Sequence, residues 1–252
     1  MRNFIFYCII FLISWVYKSE IFAINNKEKD LRICLSGGYV PYKIKKINGT
    51  WEGFDVDIVK DFAKYLNANP KFIDVEWASI LPSLLAFKCD MIAVGLVITP
   101  EREKIVSFAD VVYKNDLALA ILNSEENIKK YKCLDDLVKE KKVISVAIGT
   151  SSSLYASKNN LNVKTYKSFD APIDSLLTKK SDAVLFEKHY LNALPKHVAE
   201  KIYIIPTLVH QESVSAAFRP EDVALKNQFN KFLKSWLRTD KLSIYEKKYF
   251  SN

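Results

Sequence analysis

From Leu31 to Phe218 the chain alternates short apolar runs with amphipathic stretches, and this alternation limits the fold more than any other feature. Apolar runs bounded by turn residues read as strands, and apolar positions three and four apart read as helices. The first series is strand Leu31–Leu35, helix Asp55–Leu66, strand Lys71–Trp77, helix Leu81–Phe87 and strand Asp90–Val94. Asn48-Gly49 marks a hairpin between Tyr42–Lys46 and Thr50–Gly53. Thr99-Pro100 opens a short helix, with Thr99 as its N-cap and Pro100 at its first position. After a strand at Asp116–Leu122, the second series runs helix Leu134–Lys139, strand Val143–Ile148, a helix from Ser151, strand Val163–Tyr166 and helix Asp170–Lys179. Strand Asp182–Phe186, helix Glu187–Leu194 and strand Ile202–Ile205 complete it. Strand Ser213–Phe218 and two terminal helices close the chain, the first with Phe229, Phe232, Leu233, Trp236 and Leu237 on one face. Alternating strands and helices predict an α/β protein with largely parallel sheets. The two series are similar in length and meet near Lys114–Leu119, so two lobes with a cleft between them are expected.

Composition removes several classes. With 49% hydrophobic and 26% charged residues over 252 positions, the chain is neither disordered nor collagen-like nor a multi-span membrane protein. The formal charge of +8 could point to nucleic acid, but the lysines are scattered and no block of like charges forms, so no nucleic-acid partner is expected. Such a surface can bring the chain near an anionic membrane. At the start, Arg2 precedes the apolar run Phe4–Val16, and Ala23 offers a small residue for cleavage, so residues 1–23 read as a secretory signal peptide, with an uncleaved anchor as the alternative. Three cysteines then remain. Cys34, within an apolar run, reads as a buried small hydrophobe, and Cys89 with Cys133 as the pair that could form a bridge. His189, His197 and His210 have no metal spacing with any cysteine, and the motifs GxSxG, HExxH, GxGxxG and the P-loop are missing, so neither a metal, a cofactor nor an enzymatic constellation is expected.

Six segments stand out in order: Gly38-Tyr39-Val40-Pro41-Tyr42, Gly53-Phe54-Asp55-Val56-Asp57, Trp77–Leu84, Asp90–Phe108 with its Thr99-Pro100-Glu101-Arg102, Gly149-Thr150-Ser151, and Asp182–Glu187. Together they resemble the amino-acid-binding branch of the bacterial extracellular solute-binding proteins, family 3, and the resemblance spans Leu31 to Phe250. It implies the type II periplasmic binding protein fold, two α/β lobes joined by two crossover strands. Lobe one would comprise residues 24–115 and 208–252, and lobe two residues 116–207, with crossings near Lys114–Leu119 and Thr207–Gln211. It also implies a monomer in the periplasm that captures a free amino acid and delivers it to the permease of an ABC importer. A secreted cyclohexadienyl or arogenate dehydratase on the same fold, or a ligand-sensing domain, is the alternative.

The resemblance also assigns roles. Arg102 would pair the ligand carboxylate, which loses its water in a cleft and needs charge-assisted donors in a matching fork. Glu187 would take the ammonium, where relatives commonly carry Asp. Gly95 and Val97 would offer main-chain groups, and Thr150 and Ser151 would meet the carboxylate from the second lobe. Tyr39 and Trp77 would wall the aliphatic stem and could face a cation. Ser36 stands where relatives selective for cationic or amide side chains often carry an acid, which weakens a lysine- or arginine-specific reading.

Overall fold

A computed structural model describes residues 29–250. The segment read as a signal peptide lies outside the described residues. Twelve strands are formed among the described residues: β1 (Lys29–Leu35), β2 (Ile44–Lys45), β3 (Trp51–Glu52), β4 (Ala68–Asp74), β5 (Met91–Val97), β6 (Ser107–Phe108), β7 (Tyr113–Leu122), β8 (Ile144–Ala147), β9 (Val163–Tyr166), β10 (Ala183–Glu187), β11 (Ile202–Ile204) and β12 (His210–Phe218). The main sheet runs β4-β1-β5-β12-β7-β10-β8-β9, with β6 added to β12 and β11 to β7, while β2 and β3 form the expected hairpin. The expected α/β architecture is therefore present.

At each end of the sheet the strands are parallel: β1 lies between β4 and β5, and β8 lies between β9 and β10. Helices connect them, because a parallel partner can be reached only by a long crossover. The middle of the sheet is antiparallel. β7 pairs with β12 from Tyr113↔Val214 to Leu117↔His210, and these two long strands carry the chain between the halves. Beyond that stretch β7 pairs with β10, and β12 pairs with β5. The sheet is thus mixed.

Packing follows the two-residue period of the strands. On β7, Leu117, Leu119 and Ile121 face one apolar cluster with Val146 and Leu185. Ala118 and Ala120 face the opposite cluster, with Val184, Phe186 and Phe169. In the other half, the helix Phe54–Tyr65 buries Val56, Val59, Phe62 and Ala63. The helix Val223–Trp236 returns to this half and buries Phe229, Phe232, Leu233 and Trp236, four of the five residues expected on its apolar face. Phe62 and Phe229 meet edge to face at 4.9 Å, and the Trp236 indole N–H donates to Asp61 at 2.8 Å. Each such buried aromatic contributes about 1.5–3 kcal/mol of transfer free energy. The C-terminal segment is therefore built into the same core as β1, β4 and β5.

The cysteine reading is corrected here. Cys34 and Cys89 form a disulfide, both fully buried, and Cys133 is the free cysteine. Pairing of β1 with β5 brings the two together, with Cys34 opposite Ile92 and Cys89 just ahead of β5. Cys133 is the N-cap of the helix Leu134–Lys139, whose Leu137 packs in a different apolar cluster from Cys34 and Cys89. An apolar run around Cys34 does not keep it from bonding, because strand pairing decides which thiols meet. Two short helices, Glu125–Lys130 and Lys196–Ala199, were not expected; with six and four residues they are too short to show an apolar period.

Candidate functional site

A narrow, closed-down cavity with about 10 Å³ of free volume lies between the two halves, at the ends of β1, β5 and β10. All nine residues singled out from the sequence line it. Ser36, Tyr39, Trp77, Gly95, Val97 and Arg102 come from one side, and Thr150, Ser151 and Glu187 from the other. Lys43 and Phe169 line it as well and were not anticipated.

Arg102 sits in the one-turn helix Pro100–Glu103. Thr99 caps this helix as expected, its hydroxyl accepting from the Arg102 backbone N–H at 3.3 Å. The guanidinium is buried and spans the cleft. It donates to the Val97 carbonyl at 2.8 Å and to the Gly149 carbonyl, across the interface, at 2.9 Å. Its carbon lies 5.8 Å from the centre of the Trp77 ring. Burial pulls the Arg102 pKa down to about 10, resisted by Glu212, Glu187 and Glu101, so the side chain stays cationic at neutral pH.

Glu187 ends β10 and starts the helix Lys188–Asn192. Burial pushes its carboxyl pKa up, and Tyr39, Lys43 and Arg102 draw it back down. One carboxylate oxygen, Oε2, is buried without a hydrogen-bond partner among the described residues. A buried acceptor left open is costly, and a donor placed in the cavity would relieve it.

The hydroxyls of Thr150 and Ser151 are engaged within the protein. Thr150 caps the helix Ser151–Lys158, accepting from Ser153 N–H at 3.3 Å and donating to the Ala147 carbonyl at 2.6 Å. Ser151 donates to Glu212 Oε2 at 2.8 Å. The contributions left to them at this helix start are the backbone N–H groups that no helix can pair internally. Glu212 lies on β12, and burial with the nearby Glu187 carboxyl raises its pKa to about 8.

Aromatic rings form the remaining walls. Tyr39 stacks against Tyr190 and Tyr42 at 5.1 and 5.4 Å and meets Phe169 at 4.8 Å. Trp77 stands edge-on to Phe169 at 5.9 Å. These contacts tie Tyr39 and Trp77 of the first half to Phe169 of the second. Gly95 is required for close approach. Its φ is +103°, and a Cβ there would stand 2.2 Å from Asp55 Oδ2 and 2.3 Å from Lys43 Nζ. Those two atoms are themselves 2.7 Å apart in a fully buried ion pair, with Tyr113 donating to Asp55 Oδ1 at 2.9 Å. Sequence reading missed Lys43 because Lys43, Lys45 and Lys46 look alike beside a hairpin, and Phe169 because it lies in an irregular segment.

No group of three or more His, Cys, Asp or Glu suited to a metal occurs among the described residues, and no helix there is long and apolar enough to cross a membrane.

The family model described as bacterial extracellular solute-binding proteins, family 3, matches residues 31–252. The octopine-binding periplasmic protein of Rhizobium meliloti is 26% identical over 230 residues, covering 81% of this chain and 78% of its own. The ABC transporter arginine-binding protein 1 of Escherichia coli is 28% identical over 221 residues, covering 85% and 88%. Among solved structures, the ancestral amino acid-binding protein AncCDT-1, a precursor of cyclohexadienyl dehydratase, superposes with a TM-score of 0.79 at 26% identity, over 88% of this chain and 95% of the other.

Proposed function

The chain belongs to the bacterial extracellular solute-binding proteins, family 3, and from that premise we propose that it captures a free amino acid between its lobes in the periplasm and hands it to the permease of an ABC importer. The observation that carries this reading is the opposition of Arg102 and Glu187 across one buried cavity, from different halves of the fold. A zwitterion needs an anion partner and a cation partner at fixed separation, and these two residues supply them. The open Oε2 of Glu187 is an acceptor suited to an ammonium. The Arg102 guanidinium, already fixed by two carbonyls, presents its remaining N–H groups to a carboxylate.

The lobes in this reading are residues 24–115 with 208–252, and residues 116–207. They rotate about the β7 and β12 crossings, and the protein acts as a monomer. A ligand gripped from both lobes favours closure by its differential affinity for the closed form. The Cys34–Cys89 disulfide suits an exported protein, since such bonds persist in oxidising compartments.

The test is calorimetric titration and thermal shift of the purified protein against the twenty common amino acids. A ligand present at 100 times its Kd is expected to add about 2.7 kcal/mol of stability. Failure of all to bind would overturn the reading. Turnover of prephenate or arogenate in the same preparation would place the chain with the dehydratases.

A further inference from the structure

Lys43 is fully buried in the cavity wall, 2.7 Å from Asp55 Oδ2 and with its ammonium 5.4 Å from the centre of the Tyr39 ring. Lysine is rarely buried so completely without an anion, and Asp55 supplies one, held in place on its other oxygen by Tyr113. An ammonium has three donors. Asp55 is its one polar partner among the described residues, so further N–H donors remain for something in the cavity. Gly95 makes room for this ammonium, since any Cβ there would overlap it.

The charges of the cavity can then be assigned. A bound zwitterion engages Arg102 with its carboxylate and Glu187 with its ammonium. Lys43 and Asp55 neutralise each other. Glu212, beside the cavity, accepts from Ser151, and burial holds it largely protonated at neutral pH. Ser36 brings a hydroxyl, not an acid, to the end of β1. Two of the aromatic walls already face a cation of the protein: Tyr39 faces Lys43, and Trp77 faces Arg102. A second positive charge on the ligand would find no unpaired acid and would lie near a like charge, which disfavours a wrong partner strongly. A neutral side chain bearing an acceptor would instead receive the spare donors of Lys43.

We propose that this site selects amino acids with an uncharged side chain carrying a hydrogen-bond acceptor, an amide or a hydroxyl, and rejects those with a cationic side chain, with Lys43 as the residue that sets the choice. The inference rests on the amino-acid-binding reading above. It separates this chain from its relatives named for arginine and octopine.

The experiment is calorimetric titration at pH 7 with serine, threonine, asparagine, glutamine, lysine and arginine. The expected result is binding of at least one neutral ligand, with lysine and arginine at least 100-fold weaker. Binding of arginine or lysine within tenfold of the best neutral ligand would overturn the proposal while leaving the amino-acid reading intact. Binding of none of the six while another common amino acid binds would overturn the proposal alone, and binding of none of the twenty would overturn both. Lys43→Met alone strands a buried Asp55 carboxylate and can unfold the protein, so the decisive variant is Lys43→Met with Asp55→Asn, which removes the pair without net charge. With folding checked by circular dichroism, the double variant is expected to narrow the gap to under tenfold. Retention of the full 100-fold discrimination would show that Lys43 does not set it.

Discussion

Replacing Gly95 with alanine tests how the cleft is built. Two costs add. The residue holds φ at +103°, where a side chain is strained by about 1–3 kcal/mol. The new Cβ would also stand 2.2 Å from Asp55 Oδ2 and 2.3 Å from Lys43 Nζ, so the buried pair must separate. Asp55 cannot retreat easily, because it lies in the first turn of a packed helix and Tyr113 holds its Oδ1. Lys43 must therefore move, and breaking a buried pair outright costs about 3–5 kcal/mol. Partial separation places the total for Gly95→Ala at roughly 3–5 kcal/mol. Gly38→Ala is the control: its φ is +80°, and no atom lies within 4 Å of the added Cβ. That change isolates backbone strain, at about 1–2 kcal/mol. Urea unfolding of both variants measures the difference, provided the slope against denaturant is unchanged. A Gly95→Ala loss no greater than that of Gly38→Ala would refute the reasoning, since it would mean that the pair adapts at no cost.

Three further outcomes follow from the same geometry. Arg102→Ala removes the proposed carboxylate partner and is expected to weaken amino-acid binding by about 3–5 kcal/mol; weakening of threefold or less in a titration would remove Arg102 from the site. The Glu212 pKa is raised to about 8 in the folded protein, so the folded state binds the extra proton and stability falls as pH rises from about 4.5 to about 8, by at most about 1.4 kcal/mol per pH unit. Glu212→Gln should flatten this dependence in unfolding curves while keeping an acceptor for Ser151, and an unchanged slope would assign it to other groups. Substituting both Cys34 and Cys89 with alanine opens a link across 55 residues and should cost on the order of 4 kcal/mol in chemical unfolding; a loss below about 1 kcal/mol would contradict the chain-entropy account of this disulfide.

Local chemistry made much of this protein legible. The Thr99 cap and the Asn48-Gly49 hairpin rest on the side chains and dihedrals of a few adjacent residues, and they form as read. The apolar face of Val223–Trp236 follows from helical period alone. The nine residues gathered in one cavity were legible in part through such signals and in part through the family resemblance of their segments. Tertiary structure decided what depends on partners distant in the chain. Cys34 pairs with Cys89, not Cys133 with Cys89, because β1 pairs beside β5, and no feature near a cysteine encodes which strand will lie alongside it. Ser151 spends its hydroxyl on Glu212, because the return of β12 places an acid beside that helix start. Lys43 is one of several similar lysines in sequence. Only the fold, by setting Asp55 against it and leaving Gly95 without a side chain, turns it into a buried charge inside the cleft.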